Sequence, residues 1–162
     1  RLSPVPVLTT RMRPDEQLRF PYETVLVPTD GSPGSSRAVD HALSLAAALD
    51  ATVHALSVVE GTSLGLDVRS TLSTRELESV AADAVDDLIA TAETRGVADT
   101  VRHVEHGDPT GVIRDTIESS DIDAVVMGTT GRRGTDRILL GSVAENTVRS
   151  APVPVITVGR GE

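Results

Sequence analysis

The chain has 162 residues, enough for one domain with a real core, and its 24 acidic and 15 basic side chains give a net charge of −9. Every one of the 15 is an arginine, so lysine is absent along with cysteine. This balance argues against a nucleic-acid or anionic-membrane partner, since both recruit Lys/Arg clusters, and the missing thiols exclude disulfides, thiol catalysis and thiolate metal sites.

Residues 1–21, "RLSPVPVLTTRMRPDEQLRFP", hold four prolines and four arginines without sustained periodicity and read as a flexible extension. With Met12 inside it and no methionine at position 1, residues 1–11 read either as an expression scar or as native sequence. From Tyr22 the pattern settles into a domain spanning 22–160. "TVLV" (24–27) is a short β-branched run that ends in the turn "PTDGSPG" and leads into a helix from Ser35 or Ser36, with Val39, Ala42, Leu43, Ala46 and Leu49 apolar. "TVHALSVV" (52–59) reads as the second strand, followed by a longer connection over 61–73.

The second helix has Leu77, Val80, Ala81, Ala84, Val85, Leu88 and Ile89 at helical spacing, with Ser73 and Glu76 as a capping box and Arg95-Gly96 as its stop. "TVRHV" (100–104) is the third strand, and Asp108-Pro109 opens a third helix carrying Val112, Ile113 and Ile117. "AVVM" (124–127) is the fourth strand. After the glycine-rich stretch "GTTGRRGTDRILLGS" (128–142), Ser142 and Glu145 have capping-box spacing for a helix to about Arg149, and "VPVITV" (153–158) is a fifth strand. Alternating strands and helices imply a parallel sheet covered on both faces. Pro154 cannot donate to a ladder, which places the fifth strand at an edge.

No apolar run approaches the length of a membrane span, so a cytoplasmic protein is expected. Acidity without lysine resembles the proteins of high-salt cytoplasms, where salt screens the repulsion between carboxylates; an acidic protein of a GC-rich genome is the alternative. With one Tyr, one Phe and no Trp, the core must be built from Val, Leu, Ile and Ala.

The glycine stretch is the candidate site. A Walker A loop requires lysine, and no Gly-x-Gly precedes the helix, so neither common phosphate motif is present. What stands there is Gly128-x2-Gly131-x9-Gly141-Ser142. Its glycines let backbone N–H groups approach an anion, and the helix opening at Ser142 adds free donors and a positive dipole end. Asp30 follows the first strand and reads either as a ligand or as the side chain of a turn. Ser142 can cap its helix and contact phosphate together. Arg132, Arg133 and Arg137 either reach the phosphates or lie in solvent. His103 and His106 flank Glu105 but point to opposite faces of a strand, which makes them poor co-ligands; His41 belongs to a helix surface and His54 to strand packing.

The G-x2-G-x9-G-[ST] spacing, with "VLVPTDGSPGSSRAVDHAL", "VEHGDPTGVI" and "APVPVITV", resembles the ATP-binding branch of the universal stress protein family over roughly residues 22–160. That resemblance implies an open five-stranded parallel α/β sheet of the adenine nucleotide alpha hydrolase-like type, in the order 3-2-1-4-5 counted along the chain. The first and fourth strands then border a switch-point crevice. It also implies a site made of Pro28, Thr29, Asp30, Val58, Met127, Gly128, Thr130, Gly131, Gly141, Ser142 and Val143. Asp30 would meet ribose or Mg²⁺, Val58 (or Val59, which aligns equally well) would meet adenine through its backbone, and the glycine loop would hold ribose and phosphates. ATP with Mg²⁺ is the implied ligand, a homodimer through strand 153–158 the implied assembly, and nucleotide-dependent stress signalling the implied function. Slow ATP hydrolysis or autophosphorylation, with Asp30 the only evident base, and a nucleotide-free interaction module are the alternatives.

Overall fold

Asp-Gly-Ser-Pro-Gly cannot continue a strand, and the chain accordingly turns there from sheet to helix; similar turns recur along its length. The computed structural model describes residues 5–10, 18–61, 72–130 and 140–159. In chain order the elements are β1 (Val7–Thr9), β2 (Thr24–Pro28), α1 (Pro33–Leu49), β3 (Thr52–Val59), α2 (Thr74–Thr94), β4 (Thr100–His106), α3 (Pro109–Ser119), β5 (Ala124–Gly128), α4 (Ser142–Ser150) and β6 (Val155–Val158). Helix α1 starts earlier than its apolar spacing predicts, because Pro33 supplies a pre-organised first turn behind Ser32 as N-cap. It stops at Asp50, which adopts φ 55 and donates its N–H to Ala46 O. Helix α2 has the expected capping box: Ser73 Oγ accepts from Glu76 N at 3.3 Å, and the Glu76 carboxylate accepts from Ser73 N at 2.6 Å.

The sheet corrects the expected architecture. It is six-stranded and mixed, in the order β1-β6-β5-β2-β3-β4, rather than five-stranded and wholly parallel. β2, β3, β4, β5 and β6 are parallel to their neighbours, and β1 adds antiparallel to β6 with Val7 opposite Thr157, Leu8 opposite Ile156 and Thr9 opposite Val155. Within the stretch read as a flexible extension, then, Val7–Thr9 are part of the sheet. β6 is consequently not an edge strand. Pro154 precedes the strand, so its missing donor falls outside the ladder, while its carbonyl accepts from Val125 N at 2.9 Å.

Strand residues alternate between two apolar layers, as a sheet buried on both sides requires. Val25, Val27, Val53, Ala55, Val126, Ile156 and Val158 pack with Ala42, Leu43, Val85 and Leu88 of α1 and α2. Leu26, Leu56, Val125, Met127 and Val155 pack with Ile113, Ile117 and Ala144 of α3 and α4. Among the described residues no helix is long and apolar enough to cross a membrane.

Candidate functional site

β2 and β5 lie side by side, yet β2 continues through α1 to β3 on one side and β5 through α4 to β6 on the other. In an open α/β sheet such a divergence marks the crevice at the strands' carboxyl ends where ligands bind.

The turn after β2 forms one wall. Pro28 ends the strand opposite Leu56, and Thr29 N donates to Leu56 O at 2.8 Å. Thr29 Oγ1 accepts from Gly31 N at 3.2 Å and lies 3.2 Å from Ser35 Oγ. The Asp30 carboxylate accepts from Ser32 N at 2.9 Å through Oδ1, the turn role expected of Asp before Gly. Gly31 takes φ 72, a left-handed conformation that glycine adopts without strain. The Ser32 carbonyl accepts from Ser35 N and Ser36 N, but its own hydroxyl is buried and has no partner among the described residues.

The opposite wall leaves β5. Met127 is buried beneath it, Gly128 pairs with Val158, and Thr129 N donates to Val158 O at 3.1 Å. Thr129 O accepts from Gly141 N at 2.6 Å, which joins this wall to the start of α4. The Thr129 hydroxyl, like that of Ser32, is buried without a partner among the described residues. Thr130 is buried next to Gly34: a β-carbon on Gly34 would strike the Thr130 carbonyl oxygen, and one on Gly128 would stand 2.6 Å from Gly34 O. Two glycines thus let the first turn of α1 press directly on the end of β5.

The N-terminus of α4 corrects one expectation. Its N-cap is Gly141, and Ser142 is the first helical residue, exposed and not acting as a cap. Glu145 instead pairs with Arg149 at 2.7 Å. The cap position is fixed from outside the helix by the Gly141–Thr129 bond, which overrides the local Ser142/Glu145 signature. Among the described residues no side-chain N-cap bond closes the first turn of α4. Val143 is half-buried against the core. On β3, Val58 faces the α3/α4 layer, while Val59 is buried on the other side with its carbonyl accepting from Gly107 N at 3.1 Å. Gly131, Arg132, Arg133 and Arg137 fall outside the described residues.

The structure therefore brings together Thr29, Asp30, Gly128, Thr130 and Gly141, and adds three residues that the sequence reading did not single out. Gly34 stood in the quoted turn, and its need for space is the signal; Ser32 and Thr129 gave none. A buried hydroxyl without a partner costs free energy unless a ligand or water completes it. Two such hydroxyls, a glycine-lined wall and a helix start whose N-cap is glycine suit a ligand rich in acceptor oxygens. Asp30 is the one carboxylate at this wall. Mg²⁺ is commonly held by one or two carboxylates together with phosphate oxygens, so Asp30 suits a metal brought in with a phosphorylated ligand. Among the described residues no group of three or more acidic or histidine side chains is arranged to hold a metal by itself.

Away from the crevice, His54 of β3 and His103 of β4 stack with ring centres 5.1 Å apart and Nδ1 of His54 2.9 Å from Nε2 of His103. His106 turns to the other face, 3.1 Å from Glu78 of α2. Burial, with the neighbouring His103 as a lesser cause, holds the His54 imidazole below the usual histidine range. A histidine depressed in the folded state contributes stability above its unfolded pKa of about 6.5, and that contribution is lost as the pH falls below it. Urea midpoints are expected to fall between about pH 7.5 and pH 5.5, and to fall less in His54→Leu, which cannot titrate. Equal slopes in the two proteins would remove His54 from the acid response.

The profile of the family described as "Universal stress protein family" matches residues 21–159. A universal stress protein of Methanocaldococcus jannaschii is 36% identical over 155 residues, covering 94% of this chain and 89% of that one. Among solved structures, the universal stress protein UspA from Lactobacillus plantarum superimposes with a TM-score of 0.73 at 27% identity, covering 85% of this chain and 97% of its own. A universal stress protein crystallised in complex with cAMP superimposes with a TM-score of 0.63, also at 27% identity and with the same coverage.

Proposed function

The chain belongs to the universal stress protein family, and from that premise we propose that it binds ATP with Mg²⁺ in the β2/β5 crevice and works as a nucleotide-dependent stress or signalling protein. The observation that carries this reading is the pair of buried hydroxyls on the two walls, Ser32 Oγ and Thr129 Oγ1, which have no partner among the described residues, beside the Gly34–Gly128 contact. The cAMP complex of a relative supports an adenine nucleotide as the ligand. In this reading the backbone of Gly128, Thr130, Gly131 and Gly141 lines the phosphates and ribose, while Ser142 and Val143 offer the N–H groups at the start of α4. Pro28, Thr29 and Met127 shape the floor, Val58 meets the base, and Asp30 holds Mg²⁺. The lysine-free acidity supports a working environment of high salt in the cytoplasm.

The reading includes a homodimer joined through residues 153–158. What supports it is the apolar β6, whose residues Val155, Ile156, Thr157 and Val158 are all buried, with β1 paired along the edge of residues 155–157. β1 must move aside for a second copy to reach that edge.

A ligand that binds only the folded state raises the melting temperature with its concentration. The midpoint is expected to climb with ATP plus Mg²⁺ through the millimolar range and to climb less with Mg²⁺ alone. A midpoint indifferent to ATP would overturn the nucleotide reading.

A further inference from the structure

The strand that closes the sheet is nearly a copy of the strand it closes. Residues 4–9 read Pro-Val-Pro-Val-Leu-Thr and residues 152–157 read Pro-Val-Pro-Val-Ile-Thr, identical at five of six positions, with leucine for isoleucine at the sixth. The described part of the first segment pairs antiparallel with the second, with Val7 opposite Thr157, Leu8 opposite Ile156 and Thr9 opposite Val155. Replacing each β1 residue by its counterpart in β6 turns that register into Val155 opposite Thr157, Ile156 opposite Ile156, and Thr157 opposite Val155. This is a self-complementary pairing centred on Ile156. It is the arrangement that a two-fold axis through Ile156 would generate between two copies of β6, because a two-fold interface places the same patch on both subunits. β1 therefore presents to β6 the sequence, direction and register of a second copy's β6.

From this we infer that β1 is an intramolecular stand-in for the partner strand, keeping the β6 edge closed until it is displaced by a second copy of the chain. The inference rests on the homodimer reading above and adds the element that controls it. β1 is built to be displaced. It is three residues long, with Val7 44% and Leu8 51% exposed, so that little apolar surface holds it in place. Val5 and Pro6 line a cleft of about 280 Å³ with Arg37, Asp40 and His41 of α1. The edge it protects is the opposite in character, with Ile156 only 8% exposed. Without β1 the unpaired N–H and C=O groups of an apolar strand would be open to any matching strand, which is the condition for edge-to-edge pairing.

The experiment compares three proteins by size-exclusion chromatography with light scattering at matched concentrations: the full chain, a chain beginning at Met12, and the full-length double variant Val7→Pro/Leu8→Pro. Successive residues of an antiparallel strand point their N–H groups to opposite sides, so one of two adjacent prolines must remove a donor that faces β6. The full chain is expected to show the mass of one copy. The other two proteins are expected to show twice that mass, and a synthetic PVPVLT peptide should return the shortened protein to one copy. Two-copy masses for both the full and the shortened chain would overturn the stand-in while leaving the dimer in place. One-copy masses for both would overturn the dimer reading and the stand-in with it. A dimeric full chain beside a monomeric shortened one would also overturn the proposal, because β1 would then be building the interface instead of blocking it. The proline variant keeps the test decisive if the shortened chain fails to fold.

Discussion

Gly128→Ala is expected to destabilise the protein by about 1–3 kcal/mol, the usual cost of forcing an extra carbon into a closed contact. The new methyl would stand 2.6 Å from the Gly34 carbonyl oxygen and 3.4 Å from Ser35 Cα, all of it backbone, so no flexible side-chain tip can yield. Relief requires α1 to withdraw from β5. That withdrawal would move the turn carrying Asp30 and Ser32 relative to Thr129 and Thr130, and ATP should lose one or more charge-assisted hydrogen bonds, each worth about 1.5–3 kcal/mol or roughly tenfold to a hundredfold in affinity. Urea denaturation and ATP-dependent melting should therefore change together. Gly61→Ala is the control, since a β-carbon there meets nothing within 4 Å among the described residues and neither readout should move. Gly34→Ala should resemble Gly128→Ala, and the double variant should cost less than the sum because both substitutions strain one contact. An unchanged urea midpoint in Gly128→Ala would mean that α1 is not held against β5 at all.

The second large effect is expected far from the crevice, at the other end of the same two strands. Asp123, 7% exposed, accepts from Glu23 N at 2.9 Å and Thr24 N at 3.1 Å through Oδ2, while its own N–H donates to Thr24 O at 2.9 Å. Its Oδ1 lies 3.7 Å from the guanidinium of Arg19, so one carboxylate ties the segment before β2, the start of β2 and the start of β5. Asp123→Ala leaves two backbone donors without their acceptor and is expected to lower stability by about 1.5–3 kcal/mol. Asp123→Asn keeps an acceptor oxygen and should lose less. Arg19→Ala should lose less still, because an ion pair reaching an exposed arginine is worth about 1 kcal/mol or less. If alanine and asparagine cost the same, the N–H bonds are not what Asp123 contributes.

Much of the domain was legible in the sequence wherever a local pattern and the tertiary structure demanded the same thing. Val-Leu-Val-Pro, the helical spacing from Leu77 to Ile89, the Ser73/Glu76 box and Asp108-Pro109 each specify an element using neighbours alone, and each element forms near its expected bounds. The failures share one cause, a long-range partner. Ser142/Glu145 has the same spacing as Ser73/Glu76, yet Thr129 claims Gly141 and shifts the cap by one residue. Val7–Thr9 is too short and too proline-flanked to show a period, and its partner lies at the far end of the chain. In the crevice, the glycine spacing pointed to the place and Asp30 to one wall. The hydroxyls of Ser32 and Thr129 carry no sequence signal, because their lack of a partner among the described residues is a property of the folded chain, shared with Thr147 Oγ1.

The two borders of the sheet also differ in kind, and the difference limits how large an assembly can grow. β4 forms the far border, and along it Arg102, His103, Glu105 and His106 bring charge or titratable nitrogen to four of its seven positions. A border studded in this way repels an incoming strand. A filament needs two adhesive ends, since each added subunit must offer a fresh surface for the next, whereas a two-fold contact consumes the only adhesive end on both participants. If β1 gives way to a second copy as inferred above, the β6 border is the one that accepts a strand, so sheet extension would terminate at the pair and the acidic chain would gain no route from pairing to fibre.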